Sequence, residues 1–112
     1  MAEVIQPGLR LTFQKDERFF GPGVAELLEY IEERGSIQAA CAEMGMSYSK
    51  GWKIIKRAEK ELGFAFLHTH NGGVHGGKSE LTCEGKEFLL KYRGMENSLR
   101  QEMERLFSQY FR

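Results

Sequence analysis

Apolar residues recur along this chain with two different periods, and the switches between them divide it into elements. In VAELLEYIEERG, Val24, Leu27, Leu28 and Ile31 keep the i, i+3, i+4, i+7 spacing of one buried helical stripe, while Glu26, Glu29, Glu32 and Glu33 keep the other faces wet. Pro22 suits the start of that helix and Gly35 its end, because proline's missing N–H costs nothing in a first turn and glycine accepts a left-handed cap. Upstream, Arg10 to Gln14 alternates as a strand does. After the polar turn Lys15-Asp16-Glu17, Arg18-Phe19-Phe20 returns beside it, which predicts a hairpin. Residues 1–9 predict only a loose start.

The stretch from Ser36 to Leu62 organises the rest. Two short amphipathic helices, Ile37 to about Met44 and Tyr48 to Leu62, flank a tight turn at Met44-Gly45-Met46, with Ser36 and Ser47 as N-caps. Ala39, Ala40 and Cys41 are small enough to let a second helix cross closely. At about 100° per residue, Gly51, Ile54, Ile55, Ala58 and Leu62 gather on one side of the second helix, and Lys50, Lys53, Lys56, Arg57 and Lys60 on the other. That is the outline of a helix-turn-helix. FAFLHTH then reads as a strand, the glycine-rich NGGVHGGKS as a hairpin tip and Glu80-Leu81 as the return, so a wing follows the second helix. Thr82 caps a last helix in which Phe88, Tyr92, Met95, Leu99, Met103, Leu106 and Tyr110 recur at steps of three or four, with Gly94 weakening the middle. This stripe is longer than so small a domain can cover, and packing against a second copy would bury it. The expected fold is mainly α with small β: a winged helix-turn-helix over residues 1–83 and a C-terminal dimerisation helix over 84–112.

Composition narrows the function only where it is uneven. The 112 residues carry 16 basic and 16 acidic side chains, so net charge alone favours no nucleic acid. The distribution does: residues 45–79 hold six Lys or Arg against Glu59 and Glu61, whereas residues 23–34 hold four Glu and one Arg. Two cysteines, Cys41 and Cys83, make no disulfide framework and read as buried thiols of a reducing compartment. With no run of about 18 apolar residues and no signal-like N-terminus, a cytoplasmic protein without a membrane partner is expected.

The basic helical face is the strongest chemical signal, because five cations within eleven positions repel one another unless they meet an anion. Ser47 and Ser49 stand at the helix start; Ser49, Lys50 and Lys53 are placed to reach base edges, and Lys56, Arg57 and Lys60 to meet phosphates. Glu59 and Glu61 are candidates to neutralise part of this face. Tyr48 and Trp52 lie at the border between the buried and charged sides, where packing pillars are expected more than DNA contacts. On the wing, His75 and Lys78 are candidates for the phosphate backbone. His68 and His70 share a strand face, but no zinc spacing accompanies them, and no metal or cofactor is expected. Gly72 to Ser79 matches the letters of a phosphate-binding loop, yet no helix is expected directly after Lys78, so the match reads as accidental. No catalytic grouping is apparent.

Gly35-Ser36-Ile37, Ala39-Ala40, Gly45-Met46-Ser47-Tyr48, Trp52, Asn71-Gly72-Gly73, Gly76-Gly77, Leu81-Thr82 and Gly85 together resemble the N-terminal DNA-binding domain of ModE-type molybdate-responsive regulators. A weaker similarity extends to LysR-type regulators, and the resemblance covers roughly residues 10–110. It implies a homodimer on double-stranded DNA of two-fold symmetry, with the helix from Tyr48 in the major groove and the 68–79 wing on the flanking backbone. The last helix could also dock a separate sensor or regulator protein. Two competing readings stand beside this one: a winged interaction module without DNA binding, and a small metal-binding protein using the wing histidines.

Overall fold

The computed structural model describes residues 4–70 and 77–112, and within them the chain forms a mainly α-helical winged helix-turn-helix with two small antiparallel hairpins and a long last helix. The first hairpin pairs β1 (Phe13–Gln14) with β2 (Arg18–Phe20), with Phe13 opposite Phe20. The first strand is shorter than the alternation of residues 10–14 suggests. Leu11 uses its carbonyl elsewhere, accepting a hydrogen bond from the Tyr92 hydroxyl at 2.7 Å.

Helix α1 (Pro22–Arg34) follows, closed by Gly35 at φ 80°, and it buries Ala25, Leu27, Leu28 and Ile31, with Val24 half-buried at the margin. Helices α2 (Ile37–Glu43) and α3 (Tyr48–Leu62) begin at the expected caps. The Ser36 hydroxyl accepts from the Ala39 N–H at 3.0 Å and the Ser47 hydroxyl from the Lys50 N–H at 3.1 Å, each answering an orphan donor of its first turn. Between them Gly45 turns the chain at φ 70°. The two helices cross where Cys41 meets Gly51, so closely that a Cβ on Gly51 would lie 2.2 Å from the Cys41 sulfur. A glycine inside a helix, usually a cost of about 1 kcal/mol, is here the condition for the crossing.

The wing pairs β3 (Leu67–His70) with β4 (Lys78–Leu81), Leu67 opposite Leu81. Both strands differ from expectation at one end. Phe64 and Phe66 turn into the core ahead of β3, and the return strand starts at Lys78 rather than Glu80. The Ser79 N–H donates to the Gly35 carbonyl at 2.8 Å, which stitches β4 to the junction of α1 and α2. The expected tip, including His75 and the glycine cluster from 72 to 76, lies outside the described residues.

Helix α4 (Cys83–Phe111) runs unbroken through Gly94 for 29 residues, a rod of about 43 Å. Thr82 starts it, accepting from the Gly85 N–H at 2.9 Å and donating to the Ala65 carbonyl at 2.6 Å. The core does not stop at residue 83. Leu89 and Tyr92 are buried in it, and Phe88 joins Phe13, Phe20, Phe64, Phe66 and Tyr92 in a cluster of rings 4.9–6.0 Å apart, mostly edge to face. Phe88 and Tyr92 are thus spent inside the chain's own core, and the outward stripe of α4 starts beyond them. Cys41 is buried as expected, and burial pushes its thiol up from its ordinary value; Cys83, expected to be buried, is exposed at the first position of α4.

Candidate nucleic-acid interface

The geometry of α3 follows from which of its sides the rest of the molecule needs. Gly51, Ile55 and Ala58 are buried against α2, α1 and the first hairpin, which leaves Ser47, Ser49, Lys50, Lys53, Lys56, Arg57 and Lys60 on the outer surface, all exposed. The positive side chains therefore project from one side of a rigid cylinder. The Ser47 hydroxyl is committed to its cap.

Of the two acidic neighbours, Glu59 neutralises part of the face as expected, while Glu61 does not. Glu59 turns inward: one carboxylate oxygen accepts from the Phe66 N–H at 2.7 Å and the other lies 3.2 Å from Lys56. Glu61 meets Lys15 of the β1–β2 turn at 3.8 Å rather than a lysine of its own helix. Arg57 is paired at 2.9 Å with Glu17 of the same turn. Lys50, Lys53 and Lys60 have no ion-pair partner among the described residues, which leaves their charge free for an external anion.

The outer side of α3 has two unlike edges. Toward the first hairpin, Lys50 and Arg57 share a groove with Arg10 and Arg18, floored by Phe20, Val24 and Ile54. Arg10 and Arg18 were not singled out by sequence; the usable signal is that an alternating hairpin must put one set of its side chains on the α3 side. Toward the wing, Tyr48 and Trp52 are 51% and 43% exposed, each about half covered by the fold. The Lys56 ammonium stands 5.3 Å from the centre of the Trp52 ring. Tyr48 shares a shallow groove with Ser36, Gln38, Thr69 and Gly77.

On the wing, Lys78 is exposed in β4 opposite His70, and His68 is exposed opposite Glu80. Lys78 and Ser79 lie in a strand, so the phosphate-loop lettering that ends with them opens no helix. Among the described residues, no three His, Cys, Asp or Glu side chains form a group able to hold a metal.

On α4, the Arg93 guanidinium forks onto Glu29 of α1 at 2.7 and 3.0 Å and reaches Glu96 at 2.7 Å, and these carboxylate hydrogen bonds hold its pKa above the ordinary value. Farther along, Met95, Leu106 and Tyr110 are exposed, and Leu99 and Met103 half-buried. The N-terminal segment is not wholly loose: Pro7 and Leu9 line an apolar groove together with Leu99, Met103, Leu106 and Tyr110.

A capped helix pair with its second helix turned outward, followed by a two-stranded wing, defines a winged helix-turn-helix protein. The pattern described as "bacterial regulatory helix-turn-helix protein, lysR family" matches residues 25–86, and the chain belongs to that family. Among curated proteins, it is 33% identical over 88 residues to the molybdenum transport protein ModE of Herbaspirillum seropedicae, a match covering 79% of this chain and 31% of that protein. It is 31% identical over 80 residues to ModE of Azotobacter vinelandii, covering 71% of this chain and 30% of that one. The chain thus spans about a third of the length of these relatives. Among solved structures, the CbnR DNA-binding domain in complex with DNA superposes with a TM-score of 0.59 at 22% identity, covering 78% of this chain and 94% of that one, a likeness of fold alone. ArgP from Mycobacterium tuberculosis superposes with a TM-score of 0.52 at 25% identity, covering 75% of this chain and 29% of that one.

Proposed function

We propose that this chain is a ModE-like, sequence-specific DNA-binding transcriptional regulator, acting as a homodimer on an operator of two-fold symmetry. The observation that carries the reading is the outer side of α3, where Lys50, Lys53 and Lys60 stand exposed without an ion partner among the described residues. The lysR-family membership and the ModE relatives support it. α3 enters the major groove with Ser49, Lys50 and Lys53 toward base edges and Lys56, Arg57 and Lys60 toward phosphates, while Lys78 and His75 of the wing lie along the flanking backbone. Met95, Leu99, Met103, Leu106 and Tyr110 form the seam between protomers. Occupancy is the whole of the action: a bound dimer blocks or positions polymerase, without catalysis or cofactor. On this reading the protein works in the cytoplasm, where the chromosome is.

Titration of binding to selected duplex DNA against salt is the test. With about three to five phosphates neutralised per protomer, log affinity falls against log salt with a slope of about −2.7 to −4.5 per protomer. Lys56→Ala flattens that slope by about 1 and weakens all DNA alike, whereas Lys50→Ala and Lys53→Ala reduce the preference for selected over random sequence. Equal losses on both DNAs from all three variants overturn the division of roles, and salt-independent or absent binding overturns the reading.

A further inference from the structure

Trp52 and Tyr48 are the two large apolar side chains of α3 that the core leaves uncovered, and they sit one helical turn apart on its wing-facing edge. The packing of the fold covers only about half of each ring, leaving Tyr48 51% and Trp52 43% exposed. The half of each ring left open to solvent is an aromatic edge suited to an apolar target. The major groove offers one apolar group on a base edge, the 5-methyl of thymine. Both rings lie in the first two turns of α3, the end from which a recognition helix reaches base edges. Four residues along the axis advance about 6 Å, close to two base-pair steps of about 3.4 Å each, so each ring meets a different base pair. The Lys56 ammonium stands 5.3 Å from the Trp52 ring centre, so this aromatic edge adjoins the phosphate-facing charges.

We infer that Tyr48 and Trp52 are specificity residues that read thymine methyl groups, dividing α3 into an apolar methyl-reading edge toward the wing and a cationic edge toward the first hairpin. The inference rests on the DNA-binding reading above. Its test separates the two: a duplex is selected from random sequence with the unaltered protein, then rebuilt with deoxyuridine for thymidine in each half-site, which deletes the methyl and leaves every Watson–Crick and groove hydrogen-bonding group in place. The unaltered protein should lose about threefold to fivefold in affinity per methyl it covers, the scale expected of one buried carbon. Trp52→Ala combined with Tyr48→Ala should bind thymidine and deoxyuridine duplexes equally while keeping its salt slope, and Trp52→Phe should retain part of the discrimination. Equal binding of both duplexes by the unaltered protein overturns the inference and leaves the DNA-binding reading standing. Discrimination that survives in the double variant also overturns it. Failure to select any duplex overturns both.

Discussion

The two halves of α4 are written in much the same alphabet and end in opposite surroundings. In the first half Leu89 and Tyr92 are buried, Tyr92 to 1% exposure, and Gly85 lies so near the backbone of Phe66 that a Cβ there would come within 2.7 Å of its carbonyl oxygen. In the second half Tyr110 and Phe111 stay 71% and 77% exposed, with Pro7 and Leu9 of the N-terminal segment among the few residues beside the stripe. The period of a helix tells which side chains share a face. It does not tell what covers that face, and here the cover changes from the chain's own aromatic cluster to the proposed second copy.

The contrast can be broken from the buried end. Tyr92→Ala removes a ring in contact with Phe13 and Phe20 and the hydrogen bond to Leu11, and thermal or denaturant unfolding should show a loss of about 3–5 kcal/mol. Gly85→Ala forces the helix start away from Phe66 and should cost about 1–3 kcal/mol by the same measurement. Alkaline titration sharpens the picture. Burial first, then the charge of Glu96, raises the Tyr92 hydroxyl above its ordinary value of 10.0. A group raised in the folded state gives stability that is complete below the unfolded pKa and lost as pH climbs through the folded one. Stability should therefore fall above about pH 10, more steeply than in Tyr92→Phe, which has no proton to lose there. The smallest effect on folding lies at the exposed end. Leu106→Ser with Tyr110→Ser should change unfolding stability, measured below the dissociation concentration of the proposed dimer, by no more than about 0.5 kcal/mol. Sedimentation of the same variant should nonetheless show monomer where the proposed homodimer predicts a dimer for the unaltered chain.

Features set by neighbours in sequence were legible before the structure. Ser36, Ser47 and Thr82 cap where expected because a cap needs only the next three residues, and Leu27, Leu28 and Ile31 are buried because the acidic residues between them leave no other face to bury. What escaped depends on partners far along the chain. Arg57 looked like a free cation until Glu17, forty residues earlier, was placed beside it. Phe88 and Tyr92 continue the repeat of Leu99 and Leu106 without interruption, so periodicity alone could not assign them to the aromatic cluster around Phe20. Tyr48 and Trp52 fall at the margin of the helical wheel, and the fold covers only about half of each ring.

Glu59 has a mechanical consequence. Its carboxylate grips the Phe66 amide from the last turns of α3, and the Ser79–Gly35 hydrogen bond fastens the far strand of the wing to the opening of α2. Helix α3 and the wing are thereby braced at a preset angle, like two fingers of one casting. On the proposed reading, a duplex held between them has to supply the accommodation itself, and sequences that yield easily to bending are expected to gain an advantage even at base pairs no side chain touches.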